Sequence, residues 1–165
     1  MVTHVKIEAN TSHIPQIIAL AKEIWLPTFA AFFSEKEINN LFTGMYNRQK
    51  LTYMLQNKNY QFCIVENLSP AVGYFATSIY PDFLKLYKIY VLPEMQGQGI
   101  GKWIFNDIVS YAQTKAISSI QLNVNRRNIP AIDFYKRQGF VILKSEDIPG
   151  PNGFVYDDYV MTLKL

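Results

Sequence analysis

The stretch Leu84-Lys85-Leu86-Tyr87-Lys88-Ile89-Tyr90-Val91-Leu92-Pro93-Glu94-Met95-Gln96-Gly97-Gln98-Gly99-Ile100-Gly101-Lys102 decides how this chain folds. Residues 84–92 are rich in aromatic and branched apolar side chains, as in a strand, and Pro93 stops it. Glycines at 97, 99 and 101 follow, and from Gly99 the pattern turns helical through Ile104, Ile108 and Tyr111. Glycines permit a tight turn and close backbone approach, while the first amides of the helix stay unpaired and point outward. Such a loop favours an anionic oxygen, for instance that of a pyrophosphate.

Two other nucleotide loops fail on spacing. A Walker loop places four residues between its first glycine and the Gly-Lys pair, then a hydroxyl residue. Here Gly97 and Gly101-Lys102 are separated by three residues, and Trp103 stands where the hydroxyl belongs. A dinucleotide fingerprint needs a glycine three after its second, follows the first strand and opens the domain. Lys102 occupies that position, and the loop comes late in the chain.

Upstream, Val5-Lys6-Ile7 alternates like a strand, and Thr11-Ser12 offer caps ahead of Pro15. Ile14, Ile17, Ile18, Ala21 and Trp25 share one helical stripe, which Pro27 ends or bends. Ser34-Glu35-Lys36-Glu37 matches a capping box and opens a second helical region, broken near Gly44 and reaching about Leu55. Residues 60–65, 72–80 and 84–92 read as strands separated by Asn67-Leu68-Ser69-Pro70 and Tyr80-Pro81-Asp82.

Downstream, 120–124 reads as a short strand and 128–138 as a helix stopped by Gly139. Residues 141–143 and 155–163 are strands around the turn Pro149-Gly150-Pro151-Asn152-Gly153. The expectation is one α/β (α+β) domain over residues 1–165 with a mixed sheet.

Composition narrows the function. The 165 residues are 49% hydrophobic and 18% charged, enough to bury a single core and too apolar for disorder. A net charge of +3, with no basic tail, suits a small anionic ligand and gives no reason to expect nucleic acid. Cys63, the sole cysteine, lies in the apolar run Phe62-Cys63-Ile64-Val65 and reads as a buried strand residue. With only His4 and His13 beside it, no metal-binding spacing is present. The first residues lack a signal-peptide core, and no stretch approaches the roughly 20 apolar residues of a membrane span, so a cytoplasmic location is expected.

Two motifs in order then resemble the GNAT superfamily of acyl-CoA-dependent N-acetyltransferases. Gln96, Gly99 and Gly101 match its central signature (Gln or Arg, two residues, Gly, one residue, Gly or Ala). Asn128-Ile129-Pro130-Ala131-Ile132-Asp133-Phe134-Tyr135-Lys136-Arg137-Gln138-Gly139-Phe140 resembles its late helix. The resemblance covers roughly residues 84 to 140. It implies a mostly antiparallel central sheet flanked by helices, with the fourth and fifth strands splayed.

It also implies the donor and its site. Acetyl-CoA would be the cofactor and CoA the product. Backbone groups of Ile89, Tyr90 and Val91 would border the acetyl and pantetheine arm. The amides of Gln96, Gly97, Gln98, Gly99, Ile100, Gly101 and Lys102 would hold the pyrophosphate. Asn128 and Ala131 would contact the arm, Asn128 being also a sound helix cap by residue type. Tyr135 would stand beside the sulfur as general acid to the departing thiolate. Lys102, Arg126, Arg127, Lys136 and Arg137 are candidates for the nucleotide phosphates and, individually, plain surface charges.

The implied reaction is direct attack of a primary amine on the thioester in a ternary complex. A lysine-type amine of pKa about 10.4 is neutral about once in 2500 at pH 7, a deficit of roughly 4.6 kcal/mol. A base, a water relay or a desolvating site must therefore help it. Residues 84–92 hold no glutamate to serve, and Glu23, Asp82 and Asp158 are the other acids to weigh, each with a structural reading first.

The acceptor region falls in the first two helices and the later strands. Trp25, Phe29, Phe32 and Phe33 around Pro27 read as core packing or as one wall of an acceptor cleft. Residues 25–29, with the acidic helix and Met45-Tyr46, resemble more loosely the spermine/spermidine acetyltransferases. A small amine or polyamine is thus the favoured acceptor, with no nucleic acid and no membrane partner. A protein or peptide N-acetyltransferase and a non-catalytic acyl-CoA sensor stand as alternatives, and a homodimer is left open.

Overall fold

Local signals set most of the elements. In the computed structural model, residues 4–68, 70–150 and 153–165 are described. Three parts of the expectations lie outside them: the first three residues, Ser69 in one turn, and Pro151 and Asn152 in another.

Strand β1 (His4–Glu8) leads through a 3-10 turn into helix α1 (Ile14–Phe29). The cap is Asn10 rather than Thr11 or Ser12: its Oδ1 accepts from the Ser12 amide at 2.9 Å, and the Asn10 amide donates to His13 Nδ1 at 3.1 Å. Pro27 does not end α1, which runs on to Phe29. Only the Glu23 carbonyl loses a partner so near the terminus, and the next one is used twice over, since Thr28 Oγ1 donates to Ile24 O at 2.6 Å.

Ser34 and Glu37 close the expected capping box, with the Ser34 amide donating to Glu37 Oε2 at 2.8 Å. It opens α2 (Glu35–Met45), which contains Gly44. The break comes just after, where Asn47 Oδ1 accepts from the Lys50 amide at 2.8 Å and starts α3 (Arg48–Leu55).

β2 (Tyr60–Asn67), β3 (Ala71–Ile79) and β4 (Leu84–Val91) follow, then α4 (Ile100–Thr114), β5 (Ser119–Asn125), α5 (Ile129–Arg137), β6 (Val141–Pro149) and β7 (Val155–Lys164). β6 is longer than its apolar start suggests. Most of its residues are exposed, so Lys144-Ser145-Glu146-Asp147 continue the strand without an apolar alternation to announce it.

The sheet order is β1-β2-β3-β4-β5-β7-β6, antiparallel except for β4 beside β5. That parallel ladder ends at Leu86↔Leu122. Beyond it β4 stays with β3 as far as Val91↔Gly73, and β5 stays with β7 as far as Asn125↔Asp158. The two strands therefore diverge, as the resemblance implies. Gly73 belongs to this frame, because a Cβ there would lie 2.5 Å from the Tyr90 carbonyl oxygen.

Each face of the sheet has its own core. Ile104, Ile108, Ile120, Leu122, Tyr135 and Met161 pack on the α4–α5 side. Ile17, Ile24, Trp25, Leu41, Leu51 and Tyr74 pack on the α1–α3 side. Cys63 is 1% exposed, and burial pushes its thiol up to about 12, which makes it an inert core residue.

Candidate functional site

A cleft of about 630 Å³ opens where β4 and β5 part. Its walls come from the ends of four elements: α1, β4, the start of α4 and α5. Of the residues assigned to the donor from sequence, Ile89, Tyr90, Val91, Gln96, Gly97, Gly99, Ile100, Gly101, Lys102, Asn128, Ala131 and Tyr135 all line it. Gln98 does not; its Nε2 donates to the Glu94 carbonyl at 3.3 Å, which turns the side chain back onto the loop.

The glycine loop has the geometry that anion binding requires. Gly97 and Gly99 have φ of +75° and +84°, and nothing lies within 4 Å of where a Cβ would stand. Conformation, not crowding, selects glycine at both positions. Gly99 is the N-cap of α4 and offers no side chain to its amides. The first internal helical bond runs from Trp103 N to Gly99 O at 2.9 Å, so the amides of Ile100, Gly101 and Lys102 are left for a ligand. Gln96 anchors the loop from the other end, its Nε2 donating to the Val91 carbonyl at 3.1 Å.

Across the cleft, Asn128 caps α5 by accepting from the Ala131 amide at 3.2 Å, with Pro130 in the first turn. That cap presents Tyr135 two turns later. The residue is 9% exposed, and its ring is wedged between Phe134 and Phe140 at centroid distances of 5.4 and 5.5 Å. Burial, with Tyr90 adding to it, pushes the phenol well above its ordinary pKa. The phenol thus stays protonated throughout the neutral range, and no protein group among the described residues bonds its hydroxyl.

The five cations separate clearly. Lys102 and Arg137 line the cleft and give it positive charge. Arg126 pairs with Asp147. Arg127 donates to the Phe32 carbonyl at 2.9 Å, lies 4.9 Å over the Phe33 ring and reaches Asp157 at 3.7 Å. Lys136 is exposed and outside the lining. The arm from Arg127 to Phe32 is instead a brace between the β5–α5 loop and the end of α1.

The aromatic cluster also divides. Trp25 and Phe29 are core, 4% and 8% exposed, and Trp25 Nε1 donates to the buried Tyr46 hydroxyl at 3.1 Å. Phe32, one of the residues read as core or cleft wall, lines the cleft with Pro27, and Thr28 joins them without having been expected. Met95 and Phe134 are further wall residues that sequence reasoning missed; their position beside Gln96 and Tyr135 was the available signal. Of the acids, Glu23 and Asp82 are exposed, whereas Asp158 is 9% exposed on β7.

Comparison with known proteins agrees with this geometry. The acetyltransferase (GNAT) domain pattern matches residues 29–163. The spermidine N(1)-acetyltransferase of Thermoplasma acidophilum is 27% identical over 152 residues, 90% of this chain and 89% of that protein. The putative ribosomal protein bS18-alanine N-acetyltransferase of Bacillus subtilis is 28% identical over 86 residues, 52% of this chain and 57% of that protein. The crystal structure of the PaiA N-acetyltransferase from Thermoplasma acidophilum in complex with coenzyme A superposes with a TM-score of 0.84 at 22% identity, over 99% of both chains. At that identity the likeness speaks for the fold.

Proposed function

The chain belongs to the GNAT acetyltransferase family, and on that premise we propose that it transfers an acetyl group from acetyl-CoA to a primary amine, a small amine or polyamine. One observation carries the reading: the freed amides of Ile100, Gly101 and Lys102, the diverging end of β4 and the Tyr135 hydroxyl converge on one cleft. The pyrophosphate rests on the α4 amides, with Lys102 and Arg137 adding charge. The pantetheine arm extends along Ile89–Val91, where β5 has left main-chain groups free for its amides. The thioester then lies at the split beside Tyr135.

The amine attacks the thioester carbonyl, the C–S bond breaks, and the thiolate takes the Tyr135 proton. The proton shed by the new amide nitrogen restores the phenol. Likeness to a spermidine N(1)-acetyltransferase over most of the chain supports the polyamine class.

Thermal shift with acetyl-CoA, CoA, ATP and NAD, followed by thiol release with an amine panel, tests the proposal. Stabilisation by acetyl-CoA and CoA, with turnover on a polyamine, is the expected result. Peptide turnover with inert polyamines would move the acceptor to protein N-termini. Tight CoA binding without turnover on either panel would make the protein a sensor.

A further inference from the structure

The sheet splits open to both faces, and the face opposite the glycine loop holds an acid that the donor chemistry leaves unused. Along β7, Tyr159, Met161 and Leu163 pack on the α4–α5 core, whereas Tyr156 packs on the α1–α3 core. Strand alternation then puts Asp158 on the α1–α3 face. On β4, Ile89 and Val91 join the α4–α5 core and Tyr90 the other. Asp158 and Tyr90 therefore share the face opposite the glycine loop, and Tyr90 carries that face into the cleft wall, which Asp158 itself does not line. Asp158 also sits opposite Asn125, past the Leu86↔Leu122 pair where the β4–β5 ladder stops.

We infer that the Asp158 carboxylate is the proton acceptor for the incoming ammonium, held in place by Lys85 and Asn123. The inference rests on the acetyl-transfer reading above. Lys85 Nζ donates to Asn123 Oδ1, which leaves the amide N–H₂ free for another acceptor, and Asn123 stands opposite Val160, two residues from Asp158 on the same face. Neighbouring acids are otherwise engaged: Asp157 accepts from Asn125 Nδ2 at 2.7 Å and meets Arg127, and Asp147 pairs with Arg126. Among the described residues no cation lies within ion-pair distance of Asp158, although the residue is only 9% exposed. A buried carboxylate without a counter-ion fits a site whose ligand brings the positive charge.

The electrostatics agree. Burial raises the Asp158 pKa; the Asn123 hydrogen bond lowers it, Asp157 raises it, and Lys85 and Arg126 lower it. Glu146 faces it across the β6–β7 ladder, and Lys144 lies by Lys85. The Asp158 charge adds to the burial that raises Tyr90 and Tyr156. The ammonium gives one proton to Asp158, the neutral amine attacks, and Asp158 returns that proton to water after the product leaves.

Asp158→Asn and Asn123→Ala test this by kcat/KM against pH with a polyamine acceptor, beside CoA affinity. Asp158→Asn should keep CoA affinity, lose about 100-fold in kcat/KM near pH 7 and lose the limb set by the Asp158 carboxyl, leaving only the rise that follows deprotonation of the amine itself at higher pH. Asn123→Ala should move that limb to higher pH, because it removes a bond that lowers the Asp158 pKa. An acid limb unchanged in both folded variants overturns the inference. Should Asp158→Asn not fold, the limb of Asn123→Ala decides alone. Absence of turnover by the unaltered protein would instead overturn the acetyl-transfer reading.

Discussion

The Lys88 ammonium lies 4.8 Å from the centre of the Tyr46 ring and 4.0 Å from the Met45 sulfur. Lys88 is 9% exposed on β4, with no carboxylate beside it among the described residues. Burial, helped by the Lys50 charge, lowers its pKa to about 8. A cation over an aromatic face recovers only part of what it loses in leaving water.

Replacing it should stabilise the fold. The folded pKa lies below the ordinary lysine value, so between about 8 and 10.5 the unfolded chain binds the extra proton. The penalty is fully present below pH 8 and disappears as pH rises through 10.5, so stability climbs across that window. Lys88→Met is expected to add on the order of 2 kcal/mol at pH 7 and to flatten the climb. Urea denaturation at several pH values measures both. A destabilised variant would mean that Lys88 has an anionic partner in solution.

The glycine loop makes a positional prediction. Gly99 at φ +84° is a conformation that alanine adopts at a cost of about 1–2 kcal/mol. A Cβ on Gly101 would meet the Phe134 ring at 3.7 Å, an ordinary contact, within a helix that favours alanine. Gly99→Ala should therefore weaken CoA binding by about tenfold or more through displaced amides, and Gly101→Ala should leave it within about threefold. Calorimetric titration of both variants with CoA gives the comparison. Equal losses would show that the loop does not depend on its left-handed residue.

Asn128 combines a cap with a place in the cleft wall. Asn128→Ala removes the acceptor for the Ala131 amide, at a cost of about 1 kcal/mol in stability. Asn128→Asp keeps a capping oxygen and loses the amide N–H₂ of a residue that lines the cleft. If that amide serves the cofactor arm, the aspartate variant will melt like the wild type yet have a raised KM for acetyl-CoA. Thermal melts and donor titrations separate the two roles.

What the sequence disclosed divides by range. The capping box at Ser34, the Asn128 cap and the tight glycine turn before α4 are decided within four residues, and they could be read directly. The strand from Leu84 and the helix from Gly99 are local as well, which is why the donor half of the cleft was legible. Asn10 displaced Thr11 and Ser12 as the first cap because a 3-10 turn intervenes, which residue types do not announce. Lys88 escaped notice, and Asp158 could not be told from Glu23 and Asp82, because their burial depends on register: Lys88 stands opposite Ala76 and Asp158 opposite Asn125, neither deducible from neighbours in sequence. Pro27, Thr28 and Phe32 line the cleft where Arg127, 95 residues later in the chain, bonds the Phe32 carbonyl, a contact that no local pattern announces.

Tyr135 offers the sharpest test of the chemistry. Its ring is held by Phe134 and Phe140, so Tyr135→Phe should preserve the packing and remove one hydroxyl. That hydroxyl gives no bond to the described protein, so the change costs little stability. If the phenol protonates the thiolate, kcat should fall by about 100-fold while the KM for acetyl-CoA barely moves. The pH profile carries a second signature. A general acid must be protonated, and burial raises this phenol above its usual value, so the wild-type rate should hold past pH 10 without an alkaline limb from Tyr135. A limb near pH 8 to 9 in the wild type would have to come from another group, and Lys88 is the candidate with a pKa of about 8. Lys88→Met would then remove that limb and Tyr135→Phe would not. An unchanged kcat in Tyr135→Phe would take proton donation away from Tyr135 and leave it to water at the split.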